Sequence, residues 1–185
     1  NLMLKLYGAA RSRGVRVLWM AGELGVTYEH KDYLPRSPAT QTPEFTALNP
    51  NRRVPVIDDD GFVLSESMAI NFYLAKKHGS ALYPADPKNE ARALQWSLWE
   101  TDRLDRQLVN YVRHASELPE ADRKPEVAQA MWKEVTDSFD VLENALAKSE
   151  WLAGPAFSVG DLNVAGALFR ALSLDEITLK GRAQY

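Results

Sequence analysis

Glu66 and Ser67 stand at the predicted start of a helix, directly after the short apolar strand 62–64. The first N–H groups of a helix and the positive end of its dipole favour a bound carboxylate, and a serine hydroxyl adds another donor. The carboxylate of Glu66 can hold an ammonium group. A small peptide with both an α-amino and an α-carboxylate group would match this pair, although a serine here could also serve only as the N-cap of the helix.

Pro55 interrupts the apolar run 54–57, which is otherwise typical of a strand. Proline has no N–H to donate within a sheet, so this strand must lie at an edge, or the peptide bond before Pro55 must be cis. Val54 would then offer its own N–H and C=O to an extended peptide, which is recognition by strand addition. Asp59, Asp60 and Gly61 predict a tight turn that leads into the next strand.

The segment NPNRRVPVI, followed by ESMAI, closely resembles the glutathione-binding half of the cytosolic glutathione S-transferases. In that family, the residue before a cis-proline pairs with the cysteinyl backbone of glutathione. An acidic residue and a serine at the next helix start hold the γ-glutamyl end. The resemblance assigns these roles to Val54, Glu66 and Ser67, with Pro55 as the cis-proline. It covers roughly residues 3–175.

The resemblance also implies a way to activate the thiol of glutathione, because a free thiol has a pKa of about 8.5. A hydroxyl near the sulfur, at a helix N-terminus, stabilises the thiolate by a charge-assisted hydrogen bond and by the helix dipole. Tyr7 ends the first predicted strand, and Ser12 follows that strand. We favour Ser12, because an arginine four residues later resembles the serine-type transferases such as the theta class. Tyr7 is the alternative catalytic residue, and a plain N-cap is the alternative role for Ser12.

Three loop residues could reach the glycyl carboxylate of glutathione, namely Arg36, Gln41 and Arg53. Arg53 is the preferred candidate because it directly precedes Val54. A solvated loop charge is the alternative interpretation of Arg53. Arg16 is expected to pair with an acidic neighbour rather than to touch the ligand.

The electrophile is expected between the two domains, over residues 9–12 and the first helix of the second domain. Its candidate contacts are Arg13, Trp99, Arg103 and Tyr111. Aromatic residues at helical spacing also occur in cores and interfaces, so a structural role is the alternative for Trp99 and Tyr111. No residue of this group identifies the electrophile.

The elements that must position these residues begin with an α/β domain. Residues 3–7 alternate as a strand, a helical pattern follows until Gly25, and residues 26–33 alternate again. This order predicts a βαβ unit, which is normally right-handed. A short helix near 44–48, the hairpin and a helix closed by Gly79 complete a thioredoxin-like domain over residues 3–79.

A linker over residues 80–87 leads to an all-α domain predicted for 88–185, which completes the glutathione S-transferase fold. A long helix is predicted over 88–116, followed by a second helix near 127–146. The apolar positions of the long helix are Ala91, Leu94, Leu98, Leu108 and Val112.

Ser158 and Asp161 have the spacing of a capping box and predict the start of an apolar helix over 162–172. The same motif opens a buried helix in the second domain of the transferases. The tail 175–185 does not fit the family pattern, which usually continues with further helices. We therefore expect either a truncated chain or a missing stretch before the tail.

Composition limits the possible functions. The chain has 185 residues with 45% hydrophobic content, a net charge of −3 and no cysteine. Disulfides and thiolate metal sites are excluded, and the scattered histidines have no metal spacing. There is no general attraction to nucleic acid or to an anionic membrane. Since no signal peptide or membrane-spanning stretch is evident, we expect a cytoplasmic protein. No bound metal is expected.

The sequence therefore predicts a glutathione transferase in which Ser12 stabilises the thiolate for attack on a small hydrophobic electrophile. Glutathione is the cosubstrate, and the resemblance implies a homodimer to which Trp96 and Asp102 could contribute. An isomerase, dehalogenase or peroxidase could use the same site. A binding or scaffolding protein that keeps the fold without catalysis is the alternative from a different class.

Overall fold

The computed structural model describes residues 3–171 of the chain. The chain divides into two compact units, Asn1–Ala85 and Asp86–Tyr185. No helix among the described residues is both long and apolar enough to cross a membrane. The tail 175–185, which does not fit the family pattern, lies outside the described residues.

A four-stranded mixed sheet forms the centre of the first unit. Its strands are β1 (Leu4–Tyr7), β2 (Tyr28–Lys31), β3 (Val56–Asp59) and β4 (Phe62–Ser65), in the order β2-β1-β3-β4. β1 pairs in parallel with β2 and antiparallel with β3, and β3 pairs antiparallel with β4. The predicted thioredoxin-like architecture is confirmed.

Three helices accompany this sheet: α1 (Gly14–Leu24), α2 (Pro43–Leu48) and α3 (Ser67–Lys77). α1 and α3 pack against each other. Their apolar faces and the sheet bury a core that contains Leu6, Val17, Met20, Ile57, Ile70 and Leu74. This packing brings the first turn of α1 close to the first turn of α3.

Local turn chemistry sets the boundaries of these elements as predicted. Gly25 ends α1 with φ 62°, and its N–H donates to carbonyls of the last turn. Asp60 and Gly61 both have positive φ, 57° and 86°, which is the conformation of a two-residue hairpin turn. The Oδ1 of Asp58 accepts a 2.8 Å hydrogen bond from the N–H of Gly61.

Pro55 lies just before β3, and the Val54–Pro55 peptide bond is cis. β3 is an interior strand between β1 and β4. Of the two alternatives that the sequence left open, an edge strand or a cis-proline, the structure has the cis-proline.

The second unit begins with one continuous helical run. It consists of α4 (Pro87–Trp99), a π-helical segment (Glu100–Asp105), α5 (Arg106–Val112) and a second π-helical segment (Arg113–Glu117). A short 3₁₀ turn (Glu120–Asp122) precedes α6 (Pro125–Leu146), and α7 (Val159–Ala171) follows. The predicted long helix exists, but two parts of it have the wider π geometry.

The buried face of α4 differs from the predicted one. Leu94 and Leu98 are 49% and 63% exposed, so the apolar positions expected to face the core point outward. The buried side chains of α4 and of the residue after it are instead small or polar, namely Ala93, Ser97 and Glu100. This is possible because the Oγ of Ser97 donates to the carbonyl of Ala93 at 2.8 Å and accepts from Asn163 Nδ2 at 2.9 Å.

The core of the second unit starts further along the helical run and involves α5 and α6. It contains Leu104, Leu108, Tyr111, Val112, Val135 and Phe139. α7 begins with the predicted capping box. Asp161 Oδ2 accepts hydrogen bonds from the N–H and from the Oγ of Ser158, both at 2.9 Å. Its Oδ1 accepts from the N–H of Leu152 at 2.7 Å.

Candidate functional site

Glu66 and Ser67 lie at the junction between β4 and α3. Ser67 is the first residue of α3 and is 5% exposed. Glu66 is exposed and has φ 73° and ψ 110°, a backbone conformation that residues other than glycine rarely adopt. Such conformations cluster at binding and active sites. The exposed carboxylate of Glu66 and the hydroxyl of Ser67 are therefore neighbours at the positive end of α3.

Arg16 connects this junction to α1. Its guanidinium Nη1 donates to Ser67 Oγ at 3.2 Å, and Arg16 is only 2% exposed. Asn71 joins the same two helices, because its Nδ2 donates to the backbone carbonyl of Arg16 at 3.2 Å. The sequence favoured an acidic partner for Arg16, and its bond to a hydroxyl at the predicted binding site was not anticipated.

Ser12 lies in the loop that leads into α1 and is 6% exposed. Its Oγ donates to the carbonyl of Ala9 at 2.6 Å and accepts from the N–H of Gly14 at 3.0 Å. These are the bonds of a capping hydroxyl, so its proton is engaged by the loop in this structure. Gly14 has no space for a side chain, since a Cβ there would lie 2.8 Å from the carbonyl oxygen of Ala9.

The loop before Ser12 is held against Pro55. Gly8 has φ 150°, and a Cβ at this position would lie 3.4 Å from the Cα of Pro55. The N–H groups of Gly8 and Ala9 donate to the carbonyls of Lys31 and Tyr33, both at 2.9 Å. The loop of Ser12 and the Val54–Pro55 bond are therefore adjacent, while Arg16 joins the same helix to Ser67.

Tyr7 belongs to an aromatic cluster. Its ring lies 5.6 Å from that of Tyr33 and 5.9 Å from that of Phe45, measured between centroids. Burial raises the pKa of the Tyr7 phenol above its ordinary value, which outweighs the opposing effect of the Lys5 ammonium. Tyr7 is consequently harder to ionise than a free phenol.

Val54 is half-buried and lies outside the ladders that β3 forms with β1 and β4. Arg53 is exposed, and its carbonyl accepts a 2.9 Å bond from Asn49 Nδ2. The neighbouring Arg52, which sequence reasoning did not consider, has φ 53°, and its Nη1 donates to Gln41 Oε1 at 3.3 Å. The turn-forming sequence NPN before it was the available signal for this arrangement.

The candidates for the electrophile site have different surroundings. Arg13 is exposed next to the start of α1. Trp99 is half-buried and makes an edge contact with Trp96 at 5.0 Å, and the exposed Arg103 pairs with Asp102 at 3.2 Å. Tyr111 is 8% exposed within the core of the second unit. Its ring is tilted on that of Trp132 at 5.1 Å.

Models of the glutathione S-transferase family match both parts of the chain. The model of the N-terminal domain matches residues 2–76, and that of the C-terminal domain matches residues 125–182. Glutathione S-transferase GstB of Escherichia coli (strain K12) is 30% identical over 176 residues, which are 93% of this chain and 85% of the relative. Glutathione S-transferase 3 of Schizosaccharomyces pombe is 27% identical over 196 residues, with 91% and 74% covered.

A solved structure has the same fold. The theta class glutathione S-transferase of Xanthomonas axonopodis pv. citri, crystallised with glutathione bound, superposes with a TM-score of 0.87 at 30% identity. The match covers 95% of this chain and 85% of that one. Both domain models, the 30% identity over 93% of the chain and the shared architecture confirm the resemblance seen in the sequence. The chain belongs to the glutathione S-transferase family.

Proposed function

We propose that this protein is a glutathione transferase that binds glutathione at the starts of α1 and α3 and uses its thiolate to attack a small hydrophobic electrophile. The observation that carries this proposal is the convergence of three separate segments. The loop of Ser12 packs against Pro55, and Arg16 in the same helix bonds Ser67.

Glutathione would lie extended across these segments. The main chain of Val54, which is outside the sheet ladders, pairs with the cysteinyl unit. At the start of α3, the exposed carboxylate of Glu66 holds the α-ammonium, and Ser67 with the first N–H groups of the helix holds the α-carboxylate. Arg53 is exposed beside Val54 and is our candidate for the glycyl carboxylate.

Ser12 is our candidate for the residue that stabilises the thiolate. Its hydroxyl proton would rotate from the Ala9 carbonyl toward the sulfur, while the Gly14 N–H continues to donate to Oγ and polarises the hydroxyl. The thiol proton leaves to solvent, and the sulfur lone pair forms the new bond to the electrophilic carbon. That carbon gives up the electron pair of its bond to the leaving group, which departs to solvent as an anion. Tyr7 is the less favoured candidate, because it ends β1 and its ring packs in the aromatic cluster with Tyr33 and Phe45.

Arg13, Trp99 and Arg103 remain our candidates for contacts with the electrophile, since each presents exposed or half-exposed surface. Tyr111 has less support, because its ring is almost fully buried against Trp132. We further infer a homodimer, for which the exposed Leu94 and Leu98 offer apolar surface. Sedimentation velocity would test this state. We place the protein in the cytoplasm, where glutathione keeps thiols reduced.

A glutathione-binding protein without catalysis is the second candidate. The observation in its favour is the 2.6 Å bond from Ser12 Oγ to the Ala9 carbonyl, which directs the hydroxyl proton away from a ligand. The two candidates differ in one property, the acidity of the bound thiol.

The test is a pH titration of the ultraviolet absorbance of the thiolate, with glutathione bound to wild type, Ser12→Ala and Tyr7→Phe. We expect wild type to lower the pKa of the thiol from its free value of about 8.5, and Ser12→Ala to return it toward that value. Tyr7→Phe should keep the lowered pKa. Binding with an unshifted thiol would support the second candidate, and a shift lost only in Tyr7→Phe would transfer the catalytic role to Tyr7.

A further inference from the structure

Arg16 is a buried cation whose position is set by two helices. It lies on α1, four residues after Ser12, and its Nη1 donates to Ser67 Oγ on α3 at 3.2 Å. Both side chains are nearly inaccessible, with 2% and 5% exposure. The contact joins residues that are 51 positions apart, so it forms only when α1 and α3 pack together.

The chemistry of this bond determines the direction of the Ser67 hydroxyl. A guanidinium is only a donor, whereas a hydroxyl has one proton and two acceptor lone pairs. Ser67 Oγ must therefore accept from Arg16, and its own proton must point elsewhere. A bond from an ionised donor also polarises the hydroxyl, which makes it a better donor to a further acceptor.

We propose that Arg16 is a positioning residue for the α-carboxylate of the γ-glutamyl group of glutathione. It holds Ser67 Oγ as an acceptor toward α1, so that the hydroxyl proton is directed to the bound carboxylate. Arg16 need not touch the ligand. This inference rests on the carboxylate-binding role proposed above for Ser67.

Helix α1 then acts on two groups of glutathione, the sulfur and the α-carboxylate. Ser12, before the first turn of α1, is placed for the sulfur, and Arg16, one turn later, acts through Ser67 on the carboxylate. A shift of α1 against α3 would disturb both contacts together. A merely structural Arg16, which only ties α1 to α3, would instead affect every ligand alike.

Three ligands separate these roles: glutathione, an analogue with 4-aminobutyrate in place of the γ-glutamyl unit, and an analogue with glutarate there. The aminobutyrate analogue lacks only the α-carboxylate, and the glutarate analogue lacks only the α-ammonium. Affinities would be measured by calorimetry for wild type, Arg16→Met, Arg16→Lys and Asn71→Ala. Asn71→Ala is the matched control, because it removes a second α1–α3 hydrogen bond, to the carbonyl of Arg16, and leaves the hydroxyl of Ser67 in place.

We expect Arg16→Met to weaken glutathione and the glutarate analogue about tenfold or more, and to leave the aminobutyrate analogue within about threefold. Arg16→Lys, which keeps a buried donor and disturbs folding less, should show the same selectivity with a smaller loss. Asn71→Ala should weaken all three ligands equally.

Equal losses for all three ligands in the Arg16 variants would overturn the inference while leaving the proposed function intact. A wild type that binds glutathione and the aminobutyrate analogue equally well would overturn the carboxylate role of Ser67, and the role of Arg16 with it. If Arg16→Met does not fold, the ratio of affinities in Arg16→Lys decides the question.

Discussion

Two helix starts in the first unit each carry a buried serine, but the two hydroxyls are held in different ways. The hydroxyl of Ser12, before α1, bonds residues two and three positions away, Gly14 and Ala9. Ser67, which begins α3, accepts from Arg16, 51 positions earlier in the chain. The first hydroxyl is set by its own loop and must give up a local bond to act on a ligand. The second is set by the packing of two helices, and its proton points away from the guanidinium of Arg16.

A third helix start provides a reference without a proposed ligand. Ser158, before α7, also bonds only close neighbours, because it donates to Asp161 and accepts from the N–H of Gly160 at 3.2 Å. Ser12 and Ser158 are thus alike as local capping hydroxyls. The comparison between Ser12 and Ser67 can therefore be tested with Ser158 as the control.

The largest effect is expected from Ser12→Ala. If Ser12 donates to the thiolate, kcat should fall about 10²- to 10³-fold, as for the loss of one donor to a developing anion, with glutathione affinity nearly unchanged. Steady-state kinetics with a chromogenic electrophile would measure this. Ser158→Ala should cost about 1 kcal/mol of stability and leave kcat unchanged. A kcat that falls equally in both variants would reduce Ser12 to a structural cap.

Ser67→Ala should produce the opposite pattern. We expect glutathione affinity to fall about tenfold to a hundredfold, from the loss of a hydrogen bond to a charged group worth about 1.5–3 kcal/mol. At saturating glutathione, kcat should stay close to that of wild type. Ser65→Ala, two residues earlier at the end of β4, is the control and should keep the affinity. Loss of kcat without loss of affinity would contradict the division of roles between the two helix starts.

Glu66 allows the backbone and the carboxylate at the start of α3 to be separated. Its positive φ of 73° suits glycine better than any other residue. Glu66→Gly should therefore be about 1 kcal/mol more stable than Glu66→Ala, while both bind glutathione equally weakly. Urea denaturation and calorimetry would test the two halves of this expectation. Equal stability of the two variants would show that a side chain at this positive φ causes no backbone strain.

The smallest effect concerns Asp59, which anchors the later turns of α3 rather than its start. Burial raises the pKa of its carboxyl, but hydrogen bonds from Lys77 and from Tyr73 Oη, the latter at 2.7 Å, outweigh burial and lower the pKa below its ordinary 3.8. A lowered carboxyl pKa stabilises the fold above the unfolded value and loses this contribution as the pH falls through the folded value.

Asp59→Asn should accordingly cost about 0.5–1 kcal/mol of stability at neutral pH, and the difference from wild type should shrink below about pH 4. Glutathione affinity should not change. Asp60→Asn, in the exposed hairpin turn, is the control for the same substitution at a site without the contacts to α3. Urea denaturation at several pH values would measure both, and a difference that persists at low pH would rule out the ionic origin.

Local rules predicted several element boundaries in both units. Gly25, the Asp60–Gly61 turn and the Ser158–Asp161 capping box depend on residues within a few positions, and the structure has each of them. The bond between Arg16 and Ser67 could not be predicted in this way, because it depends on how two helices pack.

The exposed Leu94 and Leu98 are a second example of this limit. A pattern of apolar residues predicts which face of a helix is buried only when that face is apolar. The buried face of α4 includes Ser97, with Glu100 following in the π-helical segment, and the hydrogen bond that Ser97 accepts from Asn163 comes from a distant part of the chain. The positive φ of Glu66 likewise has no local sequence signal, since glutamate does not favour it.

Gly14 restricts how the chemistry at the sulfur could be altered by directed evolution. A Cβ there would lie 3.1 Å from Ser12 Oγ, in addition to its contact with the Ala9 carbonyl. A library that randomises the loop should therefore return only glycine at position 14, while the exposed position 13 accepts many side chains. If Arg13 contacts the electrophile as proposed above, new electrophile preferences would be selected at this position, with the glycine kept as a fixed site in the library.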